Sequence, residues 1–178
     1  MAAGDRCVFA YGSLMQPGSV LRTLAHRSAP PAAAPFVLHG WRRSWDVVSA
    51  RTFALAGDPT GPIHRRLVLG LTADPDGACQ GLVLRLTEPD VAALVGREAA
   101  YQLAEVGDVA GDGAGEAVWT FVPREGRRLG AVPVAEPLVV ERAYLHECLD
   151  GATAHGLAAA AREIDAARTG LRLADATS

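Results

Sequence analysis

Short apolar runs of strand composition, bounded by glycine- and proline-rich turns, fill the first two thirds of this chain, while helix-period patterning gathers at its end. Cys7–Tyr11 reads as a buried strand that enters a tight loop at Gly12-Ser13. Phe36–Trp41 and Trp45–Val48 read as two strands separated by Arg42-Arg43-Ser44, and Ala56–Arg66 as a surface loop. Leu67–Leu71 and Gly81–Leu86 read as a hairpin joined by the turn Thr72–Gly77, and Val118–Val122 as a further strand after a glycine-rich loop from Gly107 to Gly115. Helix-start chemistry stands at Gln16–Ser19, with Val20, Leu21 and Leu24 as a brief stripe, and most clearly at Thr87-Glu88-Pro89-Asp90. From about Glu141 to Arg168 the pattern gives two helices, the first carrying Tyr144, Leu145, Cys148 and Leu149, with a break at Gly151. Strands first and helices last point to an α+β fold rather than to repeated βαβ units.

The 178 residues suit one domain, 1–178, with a flexible tail expected from about residue 170. Apolar residues are 49% and charged residues 21%, with net charge -3, the profile of a soluble globular protein and a poor one for nucleic-acid binding. All 17 basic side chains are arginine and asparagine is absent, so a Schiff-base lysine, a phosphate-loop lysine and a Cys-His-Asn triad are excluded. Cys7, Cys79 and Cys148 are odd in number and widely spaced, which fits a reducing cytosol better than a disulfide framework. No apolar run approaches the ~18 residues that span a bilayer, so a cytoplasmic, unanchored protein is expected.

Chemistry has few places to reside. His26, His39, His64, His146 and His155 lack the spacing of metal ligands, and neither a metal nor a cofactor is expected. Ser13 lies at a strand-to-loop bend, but Met15 stands where a nucleophile elbow needs its second glycine. The same bend can instead turn successive backbone N–H groups outward to hold a carboxylate or an oxyanion, or be a plain turn. Glu98 falls at i+7 from Val91, on the apolar face with Leu94 and Val95 if the helix persists, and beside that face, opening the next segment, if it stops at Gly96. A core-facing carboxylate is either ion-paired, Arg97 being the nearest partner, or raised in pKa for proton shuttling. Trp41–Trp45 could bind an anion or stack on a base, or could be an ordinary strand with the tryptophans on one face. Tyr144 is by default a core aromatic.

Phe9-Ala10-Tyr11-Gly12-Ser13-Leu14 near the start, a mid-chain Arg97-Glu98 after a short helix, Gly40–Arg43, Gln80–Leu86 and the closing Tyr144-Leu145 with Gly151-Ala152 together resemble the γ-glutamylcyclotransferase superfamily, including its ChaC-type branch. The resemblance spans most of the chain, although no Leu-Asp pair precedes Glu98 and no Pro-Ser precedes Tyr144. It implies a compact mixed-strand β-barrel flanked by helices, with Glu98 as the catalytic carboxylate. Tyr11, Gly12, Ser13, Leu14, Tyr101 and Tyr144 are implied around a small γ-glutamyl substrate. The implied reaction closes the substrate's own α-amine onto its γ-carbonyl, releasing 5-oxoproline and an amine without a cofactor. A non-catalytic binding module on the same fold is the alternative, and a Ser13 hydrolase a third.

Overall fold

The computed structural model describes residues 5–111 and 115–176. Its frame is a seven-stranded mixed sheet: β1 (Arg6–Ala10), β2 (Ala33–Phe53), β3 (His64–Leu86), β4 (Tyr101–Asp108), β5 (Ala117–Pro123), β6 (Leu138–Glu141) and β7 (Leu173–Ala174). Four helices flank it: α1 (Pro17–Thr23), α2 (Glu88–Arg97), α3 (Arg142–Ala154) and α4 (Ala158–Ala167). The order is β4-β5-β1-β3-β6-β7, with β2 paired to β3, so the α+β class expected from the sequence is the observed one. β1 is fully buried beyond Arg6, because it lies between β3, antiparallel, and β5, parallel. Apolar side chains on both faces of a central strand give the unbroken run Cys7–Ala10 rather than an alternating one.

The two expected strands Phe36–Trp41 and Trp45–Val48 are one continuous β2, bent by irregularities in its pairing. Arg43 does not interrupt it, since its side chain points into the core and is satisfied there: Nε donates to Tyr11 O at 2.8 Å, and the Nη groups bond Gln80 O and Glu163. The expected hairpin across Thr72–Gly77 is likewise corrected. Leu67–Leu71 and Gly81–Leu86 belong to a single β3 that pairs with β2 along its length, and the real hairpin bend follows Phe53. Between Ala73 and Ala78 the partner strand advances only from Trp41 to His39, so the Asp-Pro-Asp-Gly segment is extruded as a bulge. Local turn chemistry persists there, with Asp76 N–H on Asp74 Oδ1 at 3.3 Å, while a long paired partner overrides the turn as a chain reversal. A Cβ on Gly77 would stand 2.7 Å from Trp41 O, so only glycine lets the two backbones approach this closely.

Helix α2 opens with the expected capping box, Thr87 and Asp90 bonding reciprocally, and runs through the exposed Gly96 to Arg97. Gly151 does not break α3. It lies inside the helix, where a Cβ would come within 2.6 Å of Gln16 N, so the missing side chain lets α3 pack on the Met15–Gln16 backbone. The chain reverses instead at Gly156, whose φ of +67° suits glycine. β4, β6 and β7 were not anticipated: β4 carries exposed polar residues at an edge, and the other two are very short. Of the glycine-rich loop expected at 107–115, residues 112–114 lie outside the described residues. The tail expected from about residue 170 includes β7, which pairs parallel with β6.

Candidate active site

All seven residues singled out from the sequence meet at one place. A small inner cavity of about 30 Å³ is lined by Tyr11, Gly12, Ser13, Leu14, Glu98, Tyr101 and Tyr144, together with Phe9, Ala10, Leu69 and Phe121. Ser13, Glu98, Tyr101 and Tyr144 also line an outer chamber of about 630 Å³ that contains Arg22, Arg51, Arg66, Arg97 and Arg127. Glu98 thus lines both spaces.

Its position follows from local geometry. Glu98 is the residue that ends α2: its N–H bonds Leu94 O at 2.9 Å, and its own carbonyl accepts from Tyr101 N at 2.8 Å as β4 begins. Helix and edge strand therefore hold its backbone from both sides. The side chain is only 16% exposed, and its ion-pair partner is Arg97, Nε to Oε1 3.1 Å. Burial pushes the Glu98 carboxyl above the usual glutamate range, while the Arg97 charge pulls partly the other way. Glu98 is thus ion-paired, and its pKa is raised despite that partner.

Arg97 also fixes the facing loop. Nη1 donates to Ser19 O at 2.8 Å and Thr23 Oγ1 at 3.0 Å, and Nη2 donates to Ser13 Oγ at 3.1 Å and Ser19 Oγ at 2.9 Å. From below, Arg43 holds the Tyr11 carbonyl. Tyr11–Leu14 is therefore clamped between two guanidiniums, neither role having been readable from the sequence. The loop tightens into a 3-10 turn in which Met15 N bonds Gly12 O at 2.9 Å and Gln16 N bonds Ser13 O at 3.1 Å. The leading N–H groups of such a turn have no partner within it and are free to meet a ligand oxygen.

The tyrosines divide their work. Tyr11 donates to Phe121 O at 2.8 Å and Tyr101 to Leu69 O at 2.6 Å, so toward a ligand each hydroxyl retains only acceptor capacity. Tyr144 packs edge-on against Trp45, and its hydroxyl faces Gly12. Burial holds all three phenols well above their ordinary pKa, so they stay neutral. Ser13 Oγ accepts from a guanidinium, which cannot serve as a general base, and among the described residues no histidine lines either cavity. The Trp41–Trp45 segment is no open patch: Arg43 is committed to the core and buried Trp45 donates Nε1–H to Ile164 O at 3.2 Å.

No protein-family model matches this sequence, and no curated protein does. Solved structures do match. A gamma-glutamyl cyclotransferase aligns with TM-score 0.62 at 16% identity, over 98% of this chain and 92% of that one. This chain has the γ-glutamyl cyclotransferase fold. A yeast gamma-glutamyl cyclotransferase specific to glutathione shares that fold at TM-score 0.55 and 14% identity, over 93% of this chain and 98% of that one. YkqA from Bacillus subtilis aligns at TM-score 0.67 and 18% identity, over 95% of this chain and 56% of that one, so this chain spans little more than half of its length. No helix among the described residues is long and apolar enough to cross a membrane.

Proposed function

We propose that this protein is a γ-glutamyl cyclotransferase that converts a γ-glutamyl compound to 5-oxoproline and a free amine. The observation that carries the reading is the convergence of a buried, pKa-raised Glu98 with the Tyr11–Leu14 loop in one cavity on this fold. The N–H groups of Gly12, Ser13 and Leu14 hold the substrate's α-carboxylate end, which brings its α-nitrogen toward Glu98. Glu98 takes a proton from the α-ammonium, and the freed amine attacks the γ-carbonyl carbon. The new ring C–N bond forms and the C–N bond to the leaving amine breaks. The two protons that the α-nitrogen loses end on the leaving nitrogen, relayed by Glu98, so the carboxylate finishes as it began. A carboxyl with pKa above the ordinary range suits both halves of that relay, and the Arg97 charge opposes part of that rise.

Incubation with a set of γ-glutamyl compounds, followed by detection of 5-oxoproline, tests the activity. Glu98→Gln keeps the shape and removes the proton relay, so kcat should fall by about 10²–10⁴-fold with the fold intact. Comparable turnover by the variant would refute the role of Glu98. Ligand binding by the wild type without 5-oxoproline would favour a non-catalytic module instead.

A further inference from the structure

The outer chamber is far larger than the inner cavity, and its charge is lopsided. Five arginines line it against two carboxylates, Glu98 and Glu147. Arg97 is committed to Glu98 and the loop, Arg22 is paired with Glu147, and Arg66 with Glu141. Among the described residues, Arg51 and Arg127 have no carboxylate partner. Arg66 adds a donor of its own, because its Nε is buried and meets no protein acceptor among the described residues. These groups share a wall. Val47 bridges Arg128, and Leu129 N donates to Asp46 O at 2.6 Å, which sets the turn carrying Arg127 beside the half of β2 that carries Arg51. β3 supplies Arg66 alongside, where its guanidinium lies 5.9 Å over the Tyr144 ring.

An excess of cations, two of them without a carboxylate partner among the described residues, matches an anionic occupant, and guanidinium forks match carboxylates in particular. With the reacting end held at Ser13 and Glu98, which line both spaces, the group that extends into the chamber is the leaving amine. We propose that Arg51, Arg127 and Arg66 make this enzyme selective for γ-glutamyl compounds whose leaving amine carries carboxylates, a dicarboxylic amine above a monocarboxylic one and both above an uncharged one. The inference rests on the cyclotransferase reading and specifies its substrate class. Arg51 is exposed and Arg127 half-buried, so the selectivity weakens as salt rises.

The test compares γ-glutamylglutamate, γ-glutamylalanine and γ-glutamyl-butylamide, reading 5-oxoproline release as kcat/KM. A charge-assisted hydrogen bond corresponds to about tenfold or more, so each added carboxylate should raise kcat/KM by about that factor, mainly through KM. The Arg51→Gln/Arg127→Gln double variant should lose the gradient, while Arg51→Lys/Arg127→Lys should recover part of it. A flat series, with 5-oxoproline released equally from all three, overturns the selectivity and leaves the cyclotransferase reading standing. Release from none overturns both. A gradient that survives the double glutamine variant assigns selectivity elsewhere and overturns these arginines as its source.

Discussion

Gly12 gives the sharpest separation between folding and function. A Cβ built there would lie 3.6 Å from Tyr144 Oη and 3.7 and 3.8 Å from Leu69 Cδ1 and Cβ, all ordinary van der Waals contacts. The backbone φ of -134° lies outside the left-handed region that demands glycine, so the urea midpoint, read beside activity, separates any backbone cost of Gly12→Ala from its effect on the site. The same methyl enters the narrow cavity, of about 30 Å³, that the loop lines. Substrate oxygen is then pushed off the loop's N–H groups. A hydrogen bond to a charged group is worth about 1.5 kcal/mol or more, so losing two predicts a fall of at least about 100-fold in kcat/KM. The assay is 5-oxoproline release from one γ-glutamyl substrate, alongside the urea midpoint of each variant. Ser13→Ala keeps the backbone N–H and removes only an acceptor for Arg97, so it should lose less than about tenfold. A folded Gly12→Ala with activity within threefold of wild type refutes the backbone-cradle argument. A folded but inert Ser13→Ala points to a nucleophile instead.

Because burial raises the Glu98 pKa, the acid limb of kcat/KM should fall above the ordinary glutamate range. Arg97→Gln, which removes the opposing charge, should move the limb further up by about 1–3 pH units, and an unmoved limb would show that another group titrates. Asp90 is fully buried and bonded to Arg27, Thr87 and His26; the Arg27 guanidinium foremost holds its carboxyl well below the usual range. A folded pKa below the unfolded value of about 3.9 means that the Asp90 contribution is complete above that pH and is lost as pH falls below it. Asp90→Asn should therefore cost about 2–4 kcal/mol at pH 7 by urea unfolding, with the gap to wild type narrowing in acid. EDTA should leave turnover unchanged, since the histidine spacing offers no metal site and ring closure needs no Lewis acid; loss of activity restored by a divalent ion would contradict this.

The local signals held where one segment carried its own physics. Cys7–Ala10 is a strand because apolar residues on both sides suit a central position. Thr87–Asp90 starts a helix because its capping groups lie within one turn. Phe36–Val48 and Leu67–Leu86 were each divided because Arg43 and Asp74–Gly77 look like interruptions in isolation. What rescues both is non-local: acceptors on β3, the Tyr11 loop and α4 satisfy Arg43, and β2 pairs across the extruded bulge.

The candidate site divides along the same line. Residue identity and helical spacing raised Glu98 and the Gly12-Ser13 bend as candidates, since a carboxylate on an apolar face and glycine at a bend are anomalies visible in one dimension, and only the family resemblance attached a role to them. Whether Glu98 is paired or pKa-raised was decided only in three dimensions, because desolvation comes from walls supplied by β1, β3, β5 and α3. The arginine chamber is invisible in sequence for a stronger reason: Arg22, Arg51, Arg66, Arg97 and Arg127 are spread across the chain, and which of them lacks a counter-charge depends on pairings such as Arg66–Glu141 that only the folded backbone creates.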